Sequence, residues 1–94
     1  MATVMLMHWP EVTPELYEAA RREVKWETDK AKGGKFHVSW FGKDGLHVLD
    51  LWDSPQDFQS FVETRLAPVT AKLGIKTQPR VEIAESHAIF VPNL

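Results

Sequence analysis

The stretch that decides the fold is Leu46-His-Val-Leu-Asp-Leu-Trp-Asp-Ser-Pro-Gln-Asp-Phe58. Its first part, Leu46 to Trp52, is short, apolar and rich in branched and aromatic residues, which is typical of a β-strand. Ser54 then stands at a helix N-cap, Pro55 suits the first helical position, and Asp57 places a negative charge near the positive end of the helix dipole. The stretch therefore predicts a strand that turns directly into a helix.

The segments on either side extend this unit. Gly42-Lys-Asp-Gly45 is a compact turn signal, and Lys35 to Phe41 before it is strand-like, so the two strands are predicted to form a hairpin. Pro68 lacks an N–H group, so a break or kink is expected near Ala67, and Gly74 is expected to end the helix as a left-handed cap. The helical stripe consists of Phe58, Phe61, Val62, Leu66, Val69 and Leu73.

The rest of the chain adds two strands and one helix. Ala2 to Trp9 is predicted to be the first strand, and a helix is expected to begin at Pro14 with Thr13 as its cap. The polar run from Glu27 to Lys35 is expected to be a loop. Arg80 to Val91 alternates in the manner of a last strand. The first helix has an apolar stripe at spacings of three and four residues, made of Val12, Leu16, Ala19, Ala20 and Val24.

The order strand, helix, strand, strand, helix, strand (βαββαβ) predicts an α+β class, ferredoxin-like split βαβ fold. It consists of one domain over residues 1–94, with a four-stranded antiparallel sheet and two helices on one face. The strand at 46–52 places Val48, Asp50 and Trp52 on one face, yet Leu49 and Leu51 make the opposite face apolar as well. A second copy of the chain is the simplest cover for that face, so a homodimer is predicted.

Composition narrows the classes of function. The chain has 94 residues, 44% apolar and 26% charged, with a net charge of −2 and no cysteine. There is no basic excess for a phosphate backbone, so no nucleic acid partner is expected. The longest apolar run, Val4 to Met7, is far shorter than the roughly 20 residues that span a bilayer, so no membrane segment is expected. The N-terminus lacks the features of a secretory signal, which predicts a cytoplasmic location.

The junction at 46–58, with Phe61, Leu66, Pro68 and Leu73-Gly74 after it, resembles the dimeric α/β-barrel superfamily, and within it the antibiotic-biosynthesis-monooxygenase-like (ABM-like) branch. The resemblance implies a dimeric α/β barrel, a homodimer of ferredoxin-like subunits, each with an apolar pocket between its sheet and its helices. Some members of that branch oxidise polycyclic hydroquinones with molecular oxygen and no cofactor. Some relatives bind and degrade haem, and many others have no known activity.

The haem-degrading relatives have an Asn on the first strand, a Trp after the junction and an iron-binding His on the second helix. The matching positions in this chain look like His8, Phe61 and Ala71, so the haem-degrading triad is absent. No cofactor is therefore expected. Haem binding through one of the strand histidines stays open as a third, weaker hypothesis.

Candidate catalytic residues are His8, His37, His47 and Asp50, because each histidine falls in a predicted strand and imidazole exchanges protons near neutral pH. Asp50 lies in the middle of an apolar strand, where a carboxylate is buried only if it is paired or neutral. Paired with a strand histidine, it would support a general base acting on a phenol or enol. The alternative is a purely structural hydrogen bond. No two histidines have metal-ligand spacing, so the sequence predicts no metal site.

Candidate substrate-binding residues are the aromatic side chains of these elements and one further histidine, namely Tyr17, Trp40, Trp52, Phe61 and His87. Tryptophan rings can stack on a polycyclic ligand, although in a small domain they usually pack in the core. The leading hypothesis is an apolar pocket for a small aromatic or polyketide-like compound, in a cofactor-independent monooxygenase. The alternative is a ligand-binding or structural dimer without catalysis, which would fill the pocket with side chains.

Overall fold

The computed structural model describes residues 2–93. A four-stranded antiparallel sheet has the strand order β2-β3-β1-β4, and the helices cover one of its faces. The predicted ferredoxin-like arrangement is confirmed. In chain order the elements are β1 (Thr3–Trp9), α1 (Pro14–Val24), β2 (Gly34–Gly42), β3 (Gly45–Trp52), α2 (Pro55–Phe61), a π-helical segment (Val62–Leu66), α3 (Ala67–Lys72) and β4 (Arg80–Glu85).

Both predicted helix starts have the expected caps. The Thr13 hydroxyl oxygen accepts a hydrogen bond from the Leu16 backbone N–H at 3.2 Å, and the Ser54 hydroxyl accepts one from the Asp57 N–H at 3.1 Å. Each cap satisfies one of the backbone donors that a helix N-terminus leaves unpaired, with a proline directly after it. These two caps fix where the chain leaves the sheet and turns back over it.

The break or kink expected near Ala67 is a π-helical segment, Val62–Leu66. The N–H of Ala67 bonds to the carbonyl of Val62, one residue further back than in an α-helix. Pro68, which has no N–H, follows at once and opens the last helical segment. Gly74 then has φ +75°, so the predicted left-handed end is confirmed.

The predicted last strand is wrong at its C-terminal end. The sequence predicted a strand from Arg80 to Val91, but β4 ends at Glu85. β4 pairs only with β1, and Glu85 lies opposite Thr3, where β1 begins. One further hydrogen bond joins the Ser86 N–H to the Ala2 carbonyl, and then no paired strand remains to continue the ladder. His87 therefore lies beyond the sheet.

Side chains alternate between the two sheet faces. The covered face, toward the helices, holds the buried core residues Met5, Met7, Trp9, Leu46, Val48 and Trp52. The open face is the opposite one and holds Val4, Leu6, His8, Val38, Trp40, His47, Leu49 and Leu51. Leu6, Val38 and Trp40 there are 41%, 41% and 46% exposed, so the open face is apolar but uncovered in the single chain.

Within residues 2–93, no helix has both the length and the apolar character needed to cross a membrane.

Candidate functional site

A cavity of about 270 Å³ lies between the covered face and the helices. Its walls are mostly apolar, with a few polar groups from neighbouring strands, as is usual for small-molecule sites. The polar groups that line it are Tyr17, Lys30, Lys35, His37 and Asp50. The apolar walls include Met5, Met7, Val12, Leu16, Ala20, Trp26, Phe36, Leu46, Val48, Trp52, Phe58, Phe61, Leu66 and Ile75.

Asp50 is the buried polar centre of this cavity. Its side chain is 10% exposed, and its two oxygens have different partners. Oδ2 accepts a hydrogen bond from the indole Nε1–H of Trp52 at 3.1 Å, and Oδ1 lies 2.7 Å from Nδ1 of His37. A buried carboxylate without partners would be costly, and these two contacts account for its stability in the core.

The two ring nitrogens of His37 connect Asp50 to Tyr17. Nε2 of His37 lies 2.8 Å from the Tyr17 hydroxyl, which also accepts a hydrogen bond from the Ser39 hydroxyl at 2.9 Å. Since the Asp50 carboxylate only accepts, Nδ1 of His37 donates to it, and in the neutral imidazole Nε2 is then the acceptor for the Tyr17 O–H. A continuous relay therefore connects Trp52, Asp50, His37, Tyr17 and Ser39.

The β2–β3 turn places His37 on the covered face. From Gly42 opposite Gly45, the pairing continues without a shift to Phe36 opposite Leu51, so His37 lies directly opposite Asp50. The register shifts only beyond His37, between Gly34 and Phe36, where a β-bulge inserts one extra residue. Gly34 lies within this irregular stretch, where a Cβ would stand 3.5 Å from the Trp52 ring.

The Trp26 ring packs on two rings of the relay. Trp26 lies 5.6 Å from the Tyr17 ring and 5.4 Å from the His37 ring, measured between centroids. Burial raises the pKa of the Tyr17 hydroxyl above its ordinary value, while the hydrogen bond from Ser39 acts in the opposite direction. Tyr17 is thus a neutral proton donor and acceptor at physiological pH.

The inner end of the cavity is aromatic. Trp52 packs against Phe58 and Phe61, with ring centroids 5.7 and 5.4 Å away. The Arg65 guanidinium, 5.4 Å from the Phe61 ring, donates to the Val24 carbonyl at the end of α1 instead of entering the cavity. Arg65 therefore joins the two helices that roof the site.

A shallower groove lies on the outer side of the relay. It includes Glu18, Arg21 and Glu27 at its rim, and Tyr17, Trp26 and His37 line both this groove and the cavity. Arg21 contacts Glu27 through two hydrogen bonds of 2.5 and 2.7 Å. The relay therefore separates an apolar interior from a charged, solvated surface.

The other candidate residues lie elsewhere. His8 and His47 form a cross-strand pair on the open face, with their rings stacked at 4.5 Å, and Trp40 stacks on His47 at 5.3 Å. Asp44, in the β2–β3 turn, contacts both imidazoles. His87 is exposed after β4 and lines neither the cavity nor the groove. The structure thus groups Tyr17, His37, Asp50, Trp52 and Phe61 in one site.

Sequence reasoning missed several residues of the site. Trp26, Phe36 and Ser39 line the cavity or the outer groove but are not among the candidate residues that the sequence predicted. A single large aromatic residue in the polar stretch after α1 was the available signal for Trp26, because an aromatic ring in such a stretch usually packs on something. Ser39 had no comparable signal.

Comparison with known structures supports the fold. The NE2512 protein of unknown function from Nitrosomonas europaea aligns with a TM-score of 0.68 and 14% identity, over 98% of this chain and 94% of that one. SnoaB, a cofactor-independent oxygenase from Streptomyces nogalater, aligns with a TM-score of 0.63 and 12% identity, over 98% and 97%. The monooxygenase from the gene ActVA-Orf6 of Streptomyces coelicolor, in complex with Nanaomycin D, aligns at 0.58 and 18%, over 98% and 92%.

No protein-family model and no curated protein matches the chain. The structural matches span nearly the whole of each chain at low sequence identity. The protein therefore shares the ferredoxin-like fold of these solved structures.

Proposed function

We propose that this protein is a cofactor-independent monooxygenase of small aromatic compounds, and that its site is the cavity between the covered face and the helices. The observation that supports this most is the relay of Asp50, His37 and Tyr17 along the wall of an apolar cavity. Two structures of the same fold, SnoaB and the ActVA-Orf6 protein, are described as a cofactor-independent oxygenase and a monooxygenase.

His37 is the base in this proposal. Asp50 holds its Nδ1–H, which leaves Nε2 able to take a proton, and Asp50 stabilises the imidazolium that forms. Tyr17 passes the proton between His37 and the substrate hydroxyl or the outer groove. Removing a phenolic proton gives an electron-rich anion, which transfers electrons to molecular oxygen without a metal or flavin.

The reaction balances for an anthrone-type substrate. The ring CH₂ is oxidised to a carbonyl, one atom of O₂ enters that carbonyl, and the other leaves as water with the two protons. The substrate supplies all four electrons. Trp52 and Phe61 offer flat apolar surfaces for the rings of the substrate.

Haem is the weaker candidate for this cavity. Among the described residues that line it, His37 is the one histidine, and both of its ring nitrogens have hydrogen-bond partners. Iron would have to displace Tyr17 from Nε2, so the donor set does not favour a haem ligand.

The test is oxygen uptake with anthrone-type and naphthohydroquinone substrates, with product formation followed by mass spectrometry in ¹⁸O₂. We expect the wild-type protein to incorporate one labelled oxygen atom per product. His37→Asn should lower kcat by about a hundredfold or more, the usual range for a general base. His87→Asn is the matched control, because His87 is exposed and remote from the relay.

Two results would oppose the proposal. Equal turnover by wild type and His37→Asn would exclude His37 as the base. Absence of turnover, together with absence of any thermal stabilisation by these compounds, would favour the alternative of a structural dimer.

We further propose that a second copy of the chain covers the open face. Leu6, Val38 and Trp40 give this face a continuous apolar surface that a single chain leaves in water. Sedimentation should detect a dimer, and Val38→Glu should convert it to a monomer because two carboxylates would be buried at the interface. A monomeric wild-type protein at micromolar concentration would refute the homodimer without affecting the cavity.

A further inference from the structure

The open face has a second cluster of chemically active side chains, apart from the cavity. His8 of β1 lies directly opposite His47 of β3, and their rings are nearly parallel, 11° apart with centroids 4.5 Å from each other. Both rings direct Nε2 toward Asp44 in the β2–β3 turn. Three potential metal ligands therefore meet at one end of the sheet.

The turn is packed so as to hold Asp44 in this place. Gly45 has φ +103°, and a Cβ on it would stand 2.6 Å from the Cα of Pro10, the residue that follows β1. Glycine alone tolerates both the dihedral angle and the close approach. The turn consequently lies against the end of β1, beside His8.

The distances suit a divalent cation. Nε2 of His47 is 2.8 Å from Oδ1 of Asp44, Nε2 of His8 is 3.3 Å from Oδ2, and one ligand atom from each residue can be chosen so that all lie within 4.8 Å of one another. A tetrahedral ion bound at 2.0–2.1 Å separates its ligand atoms by about 3.3 Å. The two rings lie nearly parallel in the metal-free protein, so each imidazole has to tilt to point its Nε2 lone pair at a shared ion.

The surroundings leave space beside the ligand atoms and hold one ring in place. A Cβ on Gly42 would stand 2.9 Å from Oδ1 of Asp44 and 3.4 Å from Nε2 of His47, so the glycine keeps that space free. Trp40 stacks on the other side of His47 and fixes the plane of its ring. Asp44 is 61% exposed, which gives an ion a route from solvent and leaves room for water ligands.

We propose that His8, His47 and Asp44 form a binding site for a divalent transition-metal ion of borderline softness, such as Zn²⁺. Two imidazole nitrogens and one carboxylate are the donor set such ions prefer, and hard ions such as Mg²⁺ prefer oxygen alone. In the metal-free protein, Nε2 of His8 lies 2.9 Å from the Asp44 carbonyl and donates to it. Nε2 of His47 likewise donates to Oδ1 of Asp44, so metal binding moves both protons to the Nδ1 atoms or to solvent. The site lies on the opposite sheet face from His37 and takes no part in the proposed oxidation.

The test is calorimetric titration of untagged protein with Zn²⁺, alongside the absorption spectrum with Co²⁺ as a probe of geometry. We expect one Zn²⁺ per chain and a rise in Tm as zinc is added. His47→Gln, His8→Gln and Asp44→Asn should each raise the Kd about tenfold or more. His87→Gln removes an imidazole outside the cluster and should leave the Kd unchanged.

Gly42→Ala separates the site from folding. It removes no ligand and needs no unusual backbone angle, but its methyl group crowds the ligand atoms of Asp44 and His47. We expect a higher Kd with an unchanged Tm in the absence of metal. The proposal is overturned if wild type binds no Zn²⁺ at micromolar concentration, or if binding is the same in the ligand variants, whose folding is checked by circular dichroism.

Discussion

The covered face and the open face each place histidine beside aspartate, and the two clusters differ in what surrounds the carboxylate. Asp50 is enclosed by the helices and holds a single histidine from one side. Asp44 stands in a turn, largely exposed, and contacts two histidines. A buried carboxylate has a strong effect on its one partner because water does not screen it, whereas an exposed one is free to exchange its partners for an ion.

The largest expected difference between the faces concerns their tryptophans. Trp52 is 4% exposed, and Trp52→Ala should lower the free energy of unfolding by about 3–5 kcal/mol through lost burial and a new void. Trp40 is 46% exposed, so Trp40→Ala should cost much less, and its cost should depend on protein concentration if a second copy covers the open face. Denaturant unfolding at two protein concentrations measures both. Equal, concentration-independent losses would show that the faces do not differ in this way.

The two aspartates provide the next comparison. Asp50→Asn places an amide NH₂ group, a donor, next to the donors of Trp52 and His37. The substitution should therefore destabilise the protein by about 1–3 kcal/mol and reverse the favoured tautomer of His37. Asp44→Asn should change stability much less than Asp50→Asn in metal-free buffer, because Asp44 is exposed. Thermal unfolding in the presence of a chelator measures both. A larger loss in Asp44→Asn would reverse the comparison.

The smallest effect concerns Tyr17, the one tyrosine of the chain, which makes alkaline spectrophotometric titration specific for it. Burial raises its pKa, so its midpoint should lie above the ordinary value of 10.0. Because the folded-state pKa is raised, the stability it contributes is complete below pH 10.0 and is lost as the pH rises through the folded value.

Ser39→Ala sharpens that titration. It removes the hydrogen bond that opposes the shift, so the midpoint should rise further. A midpoint at or below 10.0 in the wild-type protein would mean that Tyr17 is as solvated as a free phenol, and it would weaken the assigned relay.

The sequence predicted those parts of the fold that depend on local chemistry. Ser54 and Pro55 start α2 as expected, whereas β3 has apolar residues on both faces, so its alternation did not predict which face the helices cover. The C-terminal end of β4 depends instead on where its partner strand β1 begins. The alternation of residues within 80–91 carries no information about that position. Local patterns therefore located the elements but not the limits that a neighbouring strand imposes.

The site was predictable in part for the same reason. Asp50 was identified from its place in an apolar strand, and a histidine partner was expected. The partner is His37 because the turn between Gly42 and Gly45 sets the pairing register of the hairpin, and the turn signal predicted the hairpin but not which residues of its two strands would lie opposite each other. Likewise, His8, His47 and Asp44 meet only because two strands pair and a turn packs on Pro10.

His37 and Tyr17 line both the cavity and the outer groove, so the relay has one of these two recesses on each side. A compound bound against Trp52 needs a dry environment, while a base that works repeatedly must return its proton to water after each cycle. In the proposed oxidation, protons would leave through the groove while the bound compound stays on the cavity side of the relay. Substrate binding and proton release would then use different sides of the relay, so that enclosure of the ligand would not slow the recovery of the base.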